Sequence, residues 1–410
     1  MRPAPFIAVL DLRQSFLFTG HDGTKFLNFN KNRAPRFAEA AGRGSIAMTR
    51  LRIGVFGAGM VAQVEHVPNL VHLREKFDLV AVADPSAKAR GFMESRFGIA
   101  TDPNLDALLQ RKLDAVLIAA PDFAHVSAVE KALKAGLHVL AEKPLCYDPK
   151  DADRLMAAQT AAGKIVQVAY MKRFDQSYAA ALGLIEGLGP KLRYISVEKT
   201  EPDAGYQMGH HFYRASDDVT PEMIAEGRAE TQKQVAAALG KSISGAVFRG
   251  YTGAFCSSLV HDVNLVHGFL EHLGIKQVEA SAAHVFAGAE GASATMRVGG
   301  DQALWQMVHI NVPHLAEYRE RVALHFDDRI VELVFPAPYL NHQPTRLVVQ
   351  RSNGQRYETT EVRDGFAEPY IAELEGFHMA VTSGAPVKTG IAHAKTDMTL
   401  IASIGKLAAA

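Results

Sequence analysis

A glycine-rich turn between a strand and a helix restricts this chain more than any other feature. The apolar run LRIGVF at 51–56 leads into Gly57-Ala58-Gly59-Met60-Val61-Ala62, and a helix-patterned segment follows. Gly57 permits the tight turn, Gly59 lets a pyrophosphate approach the backbone, and Ala62 allows close packing of helix on strand. The helix N-terminus then offers free N–H groups and a positive dipole end to phosphate. Gly57, Gly59, Met60, Val61 and Ala62 are therefore candidate dinucleotide-binding residues. Asp84 ends the next apolar run, 25 positions after Gly59, close to the spacing of about 20 expected of a carboxylate on the ribose hydroxyls. A carboxylate repels a 2′-phosphate, which favours NAD; Lys88 and Arg90 beyond it leave NADP open. Asp84 also has a plainer reading, as a helix cap before Pro85.

Downstream, strand-like runs (79–83, 115–120, 138–142, 165–170) alternate with helix-like ones (86–97, 126–135, 150–162). The strands lack a polar face, as expected of a parallel sheet covered on both sides. After Arg173 the pattern becomes period-2 runs with short turns (192–200, 283–290, 302–310, 321–327, 329–335, 345–351), which indicates a mostly antiparallel sheet, and two helices close the chain (369–383, 396–407). The expected fold is α/β plus α+β. A Rossmann domain over 48–171 precedes a substrate and oligomerisation domain over 172–410, interrupted by an insertion at about 201–250.

Composition narrows the function classes. Lys plus Arg and Asp plus Glu each count 44, so no overall field draws the chain to nucleic acid or anionic lipid. No apolar run approaches the roughly 18 residues of a membrane span. Cys146 and Cys256 are too few for a disulfide framework and read as buried hydrophobes in a reducing, cytoplasmic setting. Residues 1–47 carry seven Lys or Arg, three acids and no clear period; they read as an N-terminal extension, with Met48 as the expected natural start. His210, His211, Asp217 and Asp218 in the insertion lack ligand spacing, so no metal is expected. Tyr206, His210 and Tyr213 are candidates for meeting a polyol or aromatic substrate.

Two further motifs carry chemistry. Ala141-Glu142-Lys143-Pro144-Leu145 ends a strand, and ligands sit at the carboxyl ends of parallel strands. A lysine half-buried there beside an oxidised nicotinamide is expected to have its pKa pushed down, suiting it to proton exchange with a hydroxyl. The residues alone also allow a surface Glu-Lys turn. The segment SSLVHDVNLVHGFL at 257–270 places His261 on an apolar helix.

Together GAGMVA, Asp84, AEKPL and KRFD (172–175) resemble the Gfo/Idh/MocA family, the glucose–fructose oxidoreductase and inositol dehydrogenase relatives. The resemblance implies that Lys143 and His261 are catalytic and that the Lys143–Pro144 bond is cis. It implies that Pro121, Asp122 and His125 form a cofactor-side turn, joined by Glu142 and Lys143, and that Arg173 lies near the nicotinamide. Lys143, Arg173, Ser257, His261 and Asn264 are the implied substrate-binding positions. Ser257 and Asn264 stand where many sugar and inositol dehydrogenases carry acids, and the adjacent Asp262 is the candidate replacement. The expected function is hydride transfer between NAD(P) and a secondary alcohol of a sugar, cyclitol or related ring, in a homo-oligomer (dimer or tetramer). The alternatives are an NAD-cycling glycosidase or epimerase, and a non-catalytic dinucleotide-binding regulator.

Overall fold

The computed structural model describes residues 49–286, 291–363 and 365–410; the expectation for 1–47 lies outside them. The first sheet is six parallel strands in the order β3-β2-β1-β4-β5-β6. These are β1 (Leu51–Phe56), β2 (Phe77–Ala83), β3 (Ala100–Asp102), β4 (Ala115–Ile118), β5 (His138–Ala141) and β6 (Val166–Val168). All four residues of β4 are buried, as its uniformly apolar sequence requires of a central strand covered on both faces. Helices α1 (Val67–His72), α2 (Ala87–Phe97), α3 (Leu105–Leu108), α4 (His125–Lys134) and α5 (Pro149–Ala162) connect the strands. Their ends follow local chemistry: Ser86 caps α2 by accepting from Ala89 N at 3.0 Å, and Gly98 ends it in the left-handed region. Strand order reverses between β1 and β4, and this opens a crevice at their carboxyl ends.

The second sheet has eight strands in the order β14-β13-β12-β11-β7-β10-β9-β8. They are β7 (Leu192–Glu201), β8 (Val278–Phe286), β9 (Gly291–Val298), β10 (Ala303–Asn311), β11 (Arg319–Phe326), β12 (Arg329–Phe335), β13 (Arg346–Asn353) and β14 (Arg356–Val362). Its pairs are antiparallel except β7 with β10. Strands β3, β9 and β14 go beyond the sequence reading. Helix α6 (Gln176–Ile185) precedes this sheet. The insertion holds α7 (Ala204–Met208), α8 (Pro221–Leu239) and α9 (Gly245–Arg249), and α10 (Val260–His272) follows a wide-turned segment, Gly250–Leu259.

The C-terminal helices α11 (Pro369–Ser383) and α12 (Ile391–Ala408) return to the first sheet. Leu374 and Phe377 of α11 join the core formed by β1, β2 and the glycine turn. Met398, Ile401 and Ile404 of α12 share a second core with both sheets. Each such fully buried side chain contributes roughly 1.5–3 kcal/mol, so the halves are joined through continuous apolar packing. Among the described residues, no helix is long and apolar enough to cross a membrane. Cys146 and Cys256 are free and buried, and burial pushes the Cys146 thiol up to about 12.

Candidate active site

The crevice is the mouth of a cavity of about 1340 Å³ that runs from the glycine turn to the second sheet. At the turn Gly57 has φ +104°, and a Cβ there would lie 2.3 Å from Ala119 O, so no other residue fits. A Cβ on Gly59 would meet nothing within 4 Å, which leaves room for a phosphate against the backbone. Met60 and Val61 line the cavity beside it. Ala62 is fully buried in the helix–sheet seam instead, where its small side chain serves packing.

Asp84 lines the cavity while its carboxylate braces the turn. It accepts from Ala58 N at 2.7 Å and from Ser86 N at 2.8 Å, and each oxygen keeps a lone pair for a ribose hydroxyl. The cap of α2 is Ser86, not Asp84. Arg90 donates to the Asp84 and Pro85 carbonyls, and Lys88 Nζ pairs with Asp217 at 2.9 Å.

The ends of β4 and β5 meet through His125. Its ring nitrogens lie 2.7 Å from Pro144 O and 2.8 Å from Ala120 O, tying Pro121 and Asp122 to the Lys143–Pro144 turn. That peptide bond is cis. Glu142 lies 2.7 Å from His66 Nε2 and accepts from Lys143 N at 3.1 Å. Burial pushes its carboxyl up, but the His66 contact and the Lys143 charge hold it below the usual range. Half-buried Lys143 reaches across the cavity to donate to Ser257 O at 2.7 Å. Ser257 and His261 both line this wall. Burial, then the charges of Lys143, Lys172 and Lys199, push the His261 imidazole well below its ordinary value. Its Nδ1 is buried without a protein partner.

Two expected positions do not reach this wall. Arg173 is folded beneath α10, donating to Asn264 O at 3.1 Å and stacking on Tyr178. Asn264 points to Asp397 at 2.7 Å, because the residue three places after His261 turns toward α12. Asp262 is spent on an ion pair with Lys172 at 2.6 Å. In the insertion, His210 and His211 both contact Tyr339 O. Gln207 and Met208, rather than Tyr206, His210 or Tyr213, line the cavity.

The sequence reading missed the floor. Inward positions of β7, β10 and β11 are apolar along most of their length (Ile195, Val197, Trp305, Met307, Val322, Leu324) and turn polar at one end. Lys199 is flanked by His309 and Glu320 in register; Glu201 and Asn311 pair in the next row, beside Tyr318. Lys199 Nζ lies 3.1 Å from Glu320 and 3.0 Å from Glu201, and Glu201 meets His309 at 3.1 Å and Ser258 at 3.1 Å. Lys172 joins Glu320 at 2.7 Å. Burial pushes Glu201 and Glu320 up, but the lysine charges prevail and hold both well below the usual carboxylate range. His309 Nδ1 and Asn311 Oδ1 remain buried without protein partners, as expected where a ligand or ordered water completes the set.

A crevice at the carboxyl ends of a Rossmann sheet thus faces an open sheet with a buried polar patch. Residues 51–170 match the model of the oxidoreductase family with NAD-binding Rossmann fold, Gfo/Idh/MocA. The chain is 34% identical over 146 residues to inositol 2-dehydrogenase 3 of Saccharopolyspora erythraea, an alignment covering 35% of this chain and 43% of that protein. It is 32% identical over 181 residues to the dTDP-3,4-didehydro-2,6-dideoxy-alpha-D-glucose 3-reductase of Streptomyces violaceoruber, covering 44% and 50%. The chain thus spans half or less of the length of these curated relatives. A 3-ketoreductase from Actinomadura kijaniata, solved with NADP and TDP-benzene, superposes with TM-score 0.64 at 20% identity, covering 86% of this chain and 96% of that one. A UDP-N-acetylglucosamine 3-dehydrogenase from Acidithiobacillus ferrooxidans gives 0.63 at 20% identity, covering 88% and 99%. At these identities the superpositions establish the shared fold.

Proposed function

We propose that the protein is an NAD(P)-dependent oxidoreductase acting on a secondary alcohol of a polyhydroxylated ring, a sugar or cyclitol. The observation that carries this reading is Lys143, held at the end of β5 with its amine spanning the cavity to Ser257 O beside His261. The glycine turn, Asp84 and the first turn of the following helix would hold the dinucleotide. When bound, that cofactor supplies the two-electron acceptor or donor. Lys143 takes the hydroxyl proton as the carbinol C–H bond gives up hydride and a carbonyl forms; in the reverse direction its ammonium returns the proton. Neutral His261 orients the hydroxyl. The floor sets acceptors (Glu201, Glu320) beside a donor (Lys199), as recognition of several neighbouring hydroxyls requires. Inositols and dTDP- or UDP-sugars, the substrates named for relatives, are the first compounds to test.

The direct experiment is an NADH-absorbance assay on a polyol and nucleotide-sugar panel with wild type and Lys143→Met. Loss of turnover with NAD binding retained is expected; unchanged turnover would remove Lys143 from the mechanism. Ser257 and Asn264, which lack the carboxylates of many sugar dehydrogenases, favour a second reading, in which NAD is reduced and reoxidised within one cycle. Product formed without net NADH selects it. Assembly as a dimer or tetramer through the outer face of the second sheet, where Leu304 and Ile310 of β10 are exposed, completes the proposal. Light scattering in solution tests it.

A further inference from the structure

The insertion after β7 lies over the nucleotide half of the cavity. Met223, Ile224, Gly227 and Thr231 of α8 line it opposite the turns that would hold a dinucleotide. Three fastenings hold the insertion to the Rossmann half. Behind the glycine turn, the fully paired Gln63 amide donates to Arg214 O at 2.8 Å and accepts from Arg214 N at 2.7 Å, while also donating to Ala58 O at 2.7 Å. At the end of β4, Gln234 Nε2 donates to Phe123 O at 2.9 Å. A Cβ on Gly227 would lie 2.7 Å from the Phe123 ring, so α8 approaches that turn as closely as a glycine allows.

The third fastening is at the start of α2. Buried Ser86 Oγ donates to Asp218, Lys88 N donates to Asp218 Oδ2 at 3.0 Å, and Lys88 Nζ donates to Asp217 at 2.9 Å. A hydroxyl, a first-turn amide and an ammonium at a helix N-terminus just after β2 form an anion cradle. In a Rossmann fold this is where the 2′-phosphate of NADP falls. Here the insertion's own carboxylates occupy it. The exposed Lys88–Asp217 pair adds little stability; what decides the outcome is that the donors are taken and that the occupant carries like charge.

We propose that the insertion is a built-in roof over the adenosine end of the cleft, and that Asp217 and Asp218 fill the 2′-phosphate cradle, so that the closed roof accepts NAD and shuts out NADP. This rests on the dinucleotide reading of the cleft. It adds a selectivity device separate from Asp84, because the Asp84 carboxylate is held by Ala58 N and Ser86 N, not by the insertion, and remains in place when the insertion lifts. NADP binding must displace the roof, whereas NAD binding leaves it closed.

The test is equilibrium titration of NAD and NADP against wild type and Asp217→Ser/Asp218→Ser, with hydrogen exchange over 212–224 in each complex. Both substitutions are on exposed side chains, and an unchanged melting curve confirms an intact fold. The double variant should tighten NADP at least about tenfold while moving NAD less than about threefold. In wild type, NAD should protect 212–224 and NADP should deprotect it. NAD binding with unaltered NADP affinity in the double variant, or equal protection by the two nucleotides, overturns the roof. Failure of wild type to bind either nucleotide overturns the dinucleotide reading as well.

Discussion

At the residue scale, His261 shows how surroundings redirect a familiar side chain. A histidine is ordinarily the group that changes charge near neutrality, but burial and three nearby ammonium groups hold this one neutral. Its usefulness therefore lies in hydrogen bonding, while in the proposed reaction Lys143 carries the proton exchanged with substrate. His261→Asn should lower kcat by about a hundredfold, and by the same factor at about pH 6 and about pH 8, because no His261 titration falls between them. A loss confined to one side of that range would show that the imidazole changes charge during turnover. That Lys143 and His261 line one cavity was legible because their motifs are local. The directions of Arg173 and Asn264 were not legible for the same reason: a position beside a motif does not say which way its side chain leaves the backbone, and Arg173 turns against α10 and α6 while Asn264 turns toward α12.

At the element scale, the glycine turn, the parallel strands and most of the second sheet were legible, because each announces itself through a short-range period. Strand β14 was missed because its pattern is polar on both faces, with only Tyr357 bulky and exposed. The polar floor was missed although its signal was present. Lys199 and His309 occupy inward positions of period-2 runs, and Glu201 and Glu320 continue the same faces one place beyond them, but only register across three strands shows that they converge. That convergence makes a measurable demand. Glu320 is shared by Lys172 and Lys199, and removing its charge leaves two buried ammonium groups with fewer partners. Glu320→Gln should cost about 3–5 kcal/mol in urea unfolding at neutral pH. Glu320 titrates below its unfolded value, so the wild-type contribution is present above about pH 4.5 and is lost as pH falls through the folded value. A cost below about 1 kcal/mol would mean that the lysines are satisfied without it.

At the scale of the whole molecule, the return of α11 to the first sheet buries a group of carboxylates that the chain order gives no hint of. Glu65 follows the glycine turn, Glu142 ends β5 and Glu373 lies on α11; all three are buried. Of the three, only Glu142 has a histidine hydrogen bond, from His66, and a nearby ammonium, Lys143, and it alone stays below the usual range. Burial, then the charge of Glu368, pushes Glu65 up to about 8, and burial pushes Glu373 well up. At neutral pH the folded protein thus holds a proton on Glu65 that the unfolded chain gives up above about pH 4.5. A folded state that binds more protons loses stability as pH rises. The Glu65 contribution is therefore complete below about pH 4.5, declines across the interval up to about 8, and is flat beyond it. Glu65→Gln keeps the size and the neutral form while removing the titration. Its melting temperature should match wild type at about pH 5 and exceed it at about pH 8, by an amount equivalent to about 2–4 kcal/mol. Equal melting temperatures at the higher pH would show that Glu65 finds a solvated or cation-paired position in the folded protein, and that the seam between α11 and the glycine-turn helix is looser than its packing indicates.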